Sequence, residues 1–585
     1  MAVSAIPGLP YVQIGNIRKQ VKMVLTDTVR KLLAKRGITT EEEIEEFLSE
    51  SPKKTYDPFL MKNMDEGTDL ILEEIKKGSK ICIYGDYDAD GITSTALLLS
   101  VFKYLTSPGQ VDYYIPSRFE EGYGLNKEAI KNISDSGFNM IVTVDCGSVS
   151  YDEVEYAKQL GLKVLVTDHH NVTDIIADCL VINPKQPGCE YPFKSLAGCG
   201  VAFKMAQALQ KKTGMPKSVL TEVLDLAAIG TVGDIMPLVD ENRTIVKFGL
   251  KVIHLGKRNG LKTLLNAVSL KTEKVNSESI SFVIVPHLNA SGRIKDASVA
   301  VEVLRCDKAP KNDEARRLLD ERVELLVSQN RQRKSLQQDT FQSCVKYLEN
   351  EGCGSEETVK DFILIRSEDA HEGIAGIVAG KLKENYYRPS VLVTPSGEDN
   401  EYLKGTGRSI EGVNLYELLK KHESLFERFG GHAGACGFLM KSENLEILSQ
   451  NLLNDMAAIK AEVPDIFERK YDIDLDVDVE DMTLELSREL DRMAPFGNAN
   501  PKPLFMCSRI TIEDVKFMGD REQHVRFSAR SFNGKRMQCV LFNDAQKYGM
   551  SLFVRRPVDL IGTLECSVWQ GVERLQFMVD EIKFD

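Results

Sequence analysis

Lys80-Ile81-Cys82-Ile83-Tyr84-Gly85-Asp86-Tyr87-Asp88-Ala89-Asp90-Gly91-Ile92-Thr93 is the stretch on which the reading of this chain turns. The apolar run Lys80 to Tyr84 hands over to three carboxylates at alternate positions, where a strand gives way to a helix. In open α/β sheets ligands sit at the carboxyl ends of strands, near a topological switch point. The same geometry recurs along the chain. Met140 to Val144 leads into Asp145-Cys146-Gly147, Val164 to Val166 precedes Asp168-His169-His170, and Leu180 to Ile182 forms another run. A further carboxylate, Asp234, follows the apolar segment Leu226 to Ile229 within Gly230-Thr231-Val232-Gly233-Asp234. Apolar runs separated by segments of helical spacing imply βαβ units and a parallel sheet.

Taken singly, an Asp at a strand end is more often a helix N-cap or turn residue than a ligand. A His pair after Asp is more often solvated. Three such patterns after apolar strands in one half of the chain reverse those odds. One edge of the sheet then collects carboxylates and imidazoles. Oxygen ligands favour Mg and Mn, and an added imidazole suits Mn, so the set predicts a binuclear Mn or Mg centre. A bridging carboxylate holds two ions about 3.5 to 4 Å apart, the separation used for phosphoester hydrolysis.

Around this core the chain is long. Its 585 residues suggest three or four domains with clefts between them. The composition, 43% hydrophobic and 28% charged, is that of a globular protein. A net charge of -13 argues against a uniformly basic DNA-binding coat but leaves room for a local basic channel. The twelve cysteines include no C-x-x-C pair, which excludes a zinc ribbon or disulfide framework and implies reduced thiols in the cytoplasm. Met1 to Tyr11 lacks the pattern of a signal peptide, and no apolar run is long enough to span a bilayer, so no membrane partner is expected.

Thr26 to Leu60 reads as a charged helical arm, with Thr39-Thr40-Glu41-Glu42-Glu43 as a helix start. Asp313 to Leu348 contains neither Gly nor Pro and reads as a long connecting helix. Strand patterns return at Phe362 to Ile365 and Ser390 to Thr394, where a second α/β unit begins. The last hundred residues alternate in short runs, Arg509 to Ile512, Val525 to Ser528, Gln538 to Phe542 and Leu575 to Val579, which suggests a small antiparallel barrel. Its aromatic residues Phe505, Phe517, Phe527, Phe542 and Trp569 read more readily as core than as stacking platforms.

Asp168-His169-His170 is the signature of the DHH superfamily, and several further segments resemble its RecJ type in order. These are Ile83 to Thr93, Thr231 to Asp234 and Asn289-Ala290-Ser291-Gly292-Arg293. His371 to Gly380, Gly405-Thr406-Gly407-Arg408-Ser409 and Gly430-Gly431-His432-Ala433-Gly434 resemble the DHHA1-type domain. Pro495-Phe496-Gly497-Asn498-Ala499-Asn500-Pro501 resembles the entry into the RecJ OB-fold. The resemblance implies an α/β fold in which a parallel-sheet DHH domain and a DHHA1-type α/β domain are joined by a long helix, with a C-terminal OB-fold β-barrel. The expected boundaries are 1–75 for an N-terminal helical arm, 76–265 for the DHH domain, 266–350 for the helical connector, 351–460 for the DHHA1-type domain and 461–585 for the OB-fold.

The resemblance also implies roles. One metal is held chiefly by Asp86 with Asp145 bridging, and a second by Asp88, Asp145, His169 and Asp234, with Asp168 orienting the imidazoles and His170 approaching the substrate phosphate. Arg118, Arg293 and Arg408 are candidates for phosphate binding because guanidinium forks match phosphate oxygens. Asn289, His371 and His432 join them as candidate contacts to nucleic acid. Tyr84, where some relatives carry His, implies a more solvated first metal site, and Ala370 stands where an aromatic residue often precedes the family's His. The implied activity is 5′ to 3′ hydrolysis of single-stranded DNA to 5′-mononucleotides in recombination and repair, with single-strand-binding protein and a RecQ-type helicase as partners. Two alternatives compete: a DHH phosphodiesterase for short oligonucleotides, cyclic dinucleotides or pyrophosphate, and a non-catalytic replication scaffold. The intact set of aspartates and the Asp-His-His triplet weigh against the scaffold.

Overall fold

The computed structural model describes residues 25–118, 120–396, 401–553, 557–569 and 571–584. Five short strands form where apolar runs alternate with helical segments: β1 (Ile81–Tyr84), β2 (Val111–Tyr114), β3 (Met140–Val144), β4 (Lys163–Thr167) and β5 (Leu180–Ile182). They pair in parallel in the order β2-β1-β3-β4-β5. β1 and β3 are wholly buried, as continuous apolar runs covered on both faces require. β2 escapes a reading by apolar runs because Val111-Asp112-Tyr113-Tyr114 is an edge strand only half buried. Crossing from β1 to the neighbouring strands on either side makes β1 the switch point, and Asp86 follows it directly. The apolar segment before Asp234 is a helix, Leu224–Gly233, buried from Leu224 to Val232. A short apolar run does not by itself separate a buried helix from a strand.

The chain divides into two units, residues 1–285, 301–313 and 472–585 in the first and 286–300 and 314–471 in the second. In the first, the C-terminal strands β12 (Phe505–Met518), β13 (His524–Arg530), β14 (Arg536–Leu541), β15 (Val558–Trp569) and β16 (Val572–Phe584) run in the order β12-β13-β14-β16-β15, and β15 pairs back onto β12. The β14–β16 pair is parallel and the others antiparallel, giving the closed five-stranded arrangement of an OB-fold. A two-residue strand, β11 (Leu475–Asp476), pairs with the start of β12. Phe505 and Phe527 are buried in the barrel core, Phe517 is partly buried against it and Phe542 is half exposed, while the side chain of Trp569 lies outside the described residues.

The N-terminal helices Asp27–Lys35 and Glu41–Leu48 pack on this barrel: Val29, Leu32, Leu33, Ile44 and Leu48 share one core with Leu486, Leu490, Phe505 and Phe527. The second of these helices starts in a capping box, with Thr40 and Glu43 satisfying each other's backbone amides.

In the second unit the 38-residue helix Asp313–Asn350 leads to a mixed sheet. Its strands are β6 (Ile363–Arg366), β7 (Ser390–Ser396), β8 (Tyr402–Arg408), β9 (Phe426–His432) and β10 (Ala435–Lys441), in the order β6-β7-β8-β10-β9. Only the β6–β7 pair is parallel. No described helix is long and apolar enough to cross a membrane.

Candidate metal centre

The strand ends deliver their side chains to one place. Asp86 follows β1, Asp145 follows β3 and Asp168, His169 and His170 follow β4, while Asp234 caps the C-terminus of the buried helix Leu224–Gly233. Ligand atoms of Asp86, Asp88 and Asp145 lie within 4.8 Å of one another, as do those of Asp90, His169 and Asp234, and those of Asp145, His169 and His170. His169 Nε2 is 3.0 Å from Asp145 Oδ1, 3.4 Å from Asp234 Oδ2 and 3.7 Å from Asp90 Oδ2. Asp145 thus belongs to both halves of the cluster, the position of a bridging carboxylate.

Burial makes this arrangement costly without a cation. Asp86, Asp145 and His169 are each 3% exposed. Asp86 Oδ1, Asp145 Oδ1, Asp234 Oδ2 and both ring nitrogens of His169 are buried without a hydrogen-bond partner. Burial, compounded by the neighbouring carboxylates, pushes the pKa of Asp86, Asp145 and Asp234 far above the ordinary range. Burial lowers His169 to about 4, leaving a neutral imidazole of the kind that binds metal. Three orphaned carboxylate oxygens and the lone-pair nitrogen of a neutral imidazole fit two divalent ions of the Mg or Mn type. Mg and Mn take carboxylate oxygens readily, and the single imidazole favours Mn.

The supporting bonds explain the local sequence. Asp88 Oδ1 accepts from the amides of Asp90 and Gly91 at 2.9 and 3.1 Å, so Asp88 is both the N-cap of the helix Ala89–Phe102 and a member of the cluster. Gly91 is obligatory, because a Cβ there would lie 2.5 to 2.7 Å from the Asp86 backbone. Asp168 is engaged on both oxygens: Oδ1 accepts from His169 N and His170 N and contacts His170 Nδ1 at 2.8 Å, while Oδ2 accepts from Ser148 N at 2.9 Å. Burial opposes its ionisation, but the His170 ring and these amides outweigh it and hold the carboxyl well below the usual range. His170 itself stays exposed. Asp145 adopts φ 63°, strained for a residue with a Cβ, as is common where a side chain is aimed into a site.

The resemblance groups Asp88 with His169; here its oxygens lie with those of Asp86, and Asp90 stands beside His169 and Asp234. Asp90, the third carboxylate after β1, has no role in the ligand set that the resemblance implies. Its carboxylate accepts from Gly198 N at 2.6 Å and Cys199 N at 2.9 Å, at the start of the helix Gly198–Thr213. The third Asp of Asp-x-Asp-x-Asp-Gly was the available signal. Tyr123 is a second addition: its hydroxyl donates to Asp145 O at 3.2 Å and lies 3.1 Å from His170 Nδ1. Tyr84 takes no part in the cluster, being wholly buried with its hydroxyl donating to Gly124 O at 2.9 Å. Arg118 lies over the ring of Tyr87, 5.3 Å from its centroid.

The remaining candidates fall in the second unit. Arg293 Nη1 donates to Gly373 O at 3.0 Å, and His371 caps the helix Glu372–Tyr386 by accepting from Gly373 N at 3.1 Å. A Cβ at Gly376 would lie 3.0 Å from Arg408 Nη2, so the glycine admits that guanidinium against the same helix start. Guanidiniums and a helix N-terminus both carry the charge that suits an anion. His432 ends β9 and pairs with Ala435, which pairs with Arg408 on the other side. Asn289 Oδ1 is buried without a partner in the helix Val285–Ile294.

With this geometry in hand, three segments match known families: residues 80–231 the DHH family, N-terminal domain, 359–458 the DHHA1 domain and 473–581 the RecJ OB domain. The chain is 37% identical to the single-stranded-DNA-specific exonuclease RecJ of Bacillus subtilis, over 95% of this chain and 68% of that protein. It is 32% identical to the Escherichia coli protein of the same name, over 95% of this chain and 96% of that one. The crystal structure of Thermus thermophilus RecJ in complex with Mn2+ superposes with a TM-score of 0.78 at 27% identity, covering 95% of this chain and 75% of that one. The Mg2+ complex gives a TM-score of 0.73 at 25% identity, covering 95% of this chain and 74% of that one.

Proposed function

The chain belongs to the RecJ family of single-stranded-DNA-specific exonucleases, and from that premise we propose that it hydrolyses single-stranded DNA 5′ to 3′ to 5′-mononucleotides in recombination and repair. What carries the reading is the buried pair of ligand groups that share Asp145, with three carboxylate oxygens and the His169 ring left unpartnered.

Asp86, Asp88 and Asp145 would hold one divalent ion, Mn or Mg, and Asp145, His169, Asp234 and Asp90 the other. When bound, the ions supply a water of lowered pKa and neutralise charge on the scissile phosphate. The side chains do the rest. Asp168 fixes the His170 ring, whose exposed edge donates to a phosphate oxygen, and the Tyr123 hydroxyl braces that ring, 3.1 and 3.2 Å from its two nitrogens. Arg118 meets a backbone phosphate, held in place by the Tyr87 ring. Arg293, Arg408, His371, His432 and Asn289 bind phosphates or nucleotide edges, and the OB-fold supports the strand. The domain assignment proposed is the one expected from the sequence, with residues 1–75 as arm, 76–265 as catalytic domain, 266–350 as connector, 351–460 as DHHA1-type domain and 461–585 as OB-fold. Twelve free cysteines suit the cytoplasm, and single-strand-binding protein and a RecQ-type helicase are its proposed partners there.

The test is digestion of long single-stranded DNA labelled at either end, with Mn2+ or Mg2+. Release of the 5′ label as a mononucleotide supports the reading. Cleavage confined to dinucleotides or pyrophosphate replaces it with the small-substrate alternative.

A further inference from the structure

Resting on the reading of a two-metal centre, we propose that Asn498, in the segment leading into the C-terminal barrel, is a positioning residue for the metal ligand Asp234. Asp234 ends the helix Leu224–Gly233, and the chain then reverses through Ile235, which adopts φ 54°. A β-branched residue in the left-handed region is strained and stays there only when its surroundings impose it. Packing does not impose it, since Ile235 is 71% exposed.

The turn is gripped instead through its backbone. Asn498 Nδ2 donates to Ile235 O at 2.8 Å, and Leu238 N donates to Asn498 O at 2.8 Å. One residue thus closes both ends of the reversal. Gly497 lets it approach, because a Cβ there would lie 2.8 Å from Leu238 Cδ1. The gripping segment is itself fixed. Asn500 Nδ2 donates to Met493 O at 3.0 Å and Pro495 O at 2.7 Å. Arg36 Nη2 donates to Pro501 O at 2.7 Å and Ser277 Oγ to Phe496 O at 2.6 Å.

On its other side Asp234 ends a helix buried from Leu224 to Val232, whose C-terminus is closed by Ile235 N donating to Val232 O at 3.2 Å and Met236 N to Thr231 O at 3.1 Å. Asp234 Oδ2 has no hydrogen-bond partner to fix its rotamer. The carboxylate is therefore aimed by the turn, which the helix's own C-terminal bonds start and Asn498 closes at the Ile235 carbonyl. Loss of the amide donor frees the Ile235 carbonyl, leaves the strained turn held by its two helix-closing bonds alone and lets Asp234 shift away from His169. The helix and its core remain. Asn498 touches no reacting atom and acts through Asp234.

The experiment is Mn2+ titration of the full chain by calorimetry, with thermal unfolding measured separately in chelator. The wild type is expected to bind two ions. Asn498→Asp, equal in size but without the donor, is expected to keep one ion at wild-type affinity and to weaken the other about 10-fold or more, with its metal-free unfolding little changed. The weakened ion is the one lost in Asp234→Ala. Adding Ile235→Gly to Asn498→Asp restores the second ion, since glycine adopts positive φ without strain; a merely structural role for Asn498 would give no such rescue. The proposal is overturned if Asn498→Asp binds both ions as the wild type does, if both ions weaken together, or if the glycine fails to rescue. A wild type that binds no pair of ions overturns the metal-centre reading itself, and the role of Asn498 with it.

Discussion

Asp90 separates what residue types announce from what only the fold supplies. Its carboxylate holds two amides of a helix more than a hundred positions away while lying 3.7 Å from His169 Nε2. Asp90→Asn takes a charge from the second ion's ligand group and is expected to weaken Mn2+ binding at least about 10-fold, measured by titration. Gly198→Ala acts on the same spot by sterics. Its Cβ would lie 2.7 Å from Asp145 Cβ and 2.8 Å from Oδ1, so the bridging carboxylate must move. Exonuclease activity of that variant is expected to fall at least about 100-fold with the circular dichroism spectrum unchanged. The aspartates after β1 and β3 and the Asp-His-His triplet were legible in the sequence because each follows an apolar run. Asp90 was not, because an acid in the first turn of a helix has an ordinary use. Tyr123 was not either, since its partners Asp145 and His170 reach it only through the order of the strands.

Elements read best where their pattern is local. The capping box at Thr40 and the breaker-free helix Asp313–Asn350 declare themselves, whereas the buried helix before Asp234 and the edge strand β2 do not. Strand β4 shows how an element is pinned at its other end. Glu74, 5% exposed at its side chain, accepts from Lys163 Nζ at the start of β4 at 2.6 Å, Ser79 Oγ at 2.6 Å and Lys77 Nζ at 2.9 Å. Burial opposes ionisation, but these three donors outweigh it and lower Glu74 to about 2. The folded pKa is below the unfolded one, so this stabilisation is fully present above about pH 4.5 and is lost as pH falls toward about 2. Both lysines are half exposed, which limits the effect to about 1 to 2 kcal/mol. Urea unfolding of Glu74→Gln is expected to show that deficit at pH 7 and a much smaller one near pH 2.

At the scale of the whole molecule, the two ends of the chain share a core. Val29, Leu32 and Leu33 pack with Leu486, Leu490 and Phe505, and Thr26 Oγ1 donates to Glu489 at 2.6 Å. Nothing local in either segment marks the other, so sequence reading separates them as arm and barrel. A chain ending at residue 471 is expected to be cut by protease between residues 26 and 50, where the intact chain resists. The centre depends on long-range assembly in the same way, because its ligands come from four separate places in the first unit. The central claim, that this assembly binds two ions around Asp145, is tested most directly by an anomalous difference map from a crystal grown with Mn2+. Two peaks about 3.5 to 4 Å apart, one beside Asp86 and Asp88 and one beside His169 and Asp234 with Asp145 touching both, are the expected result. A single peak, or none at these residues, would contradict the account.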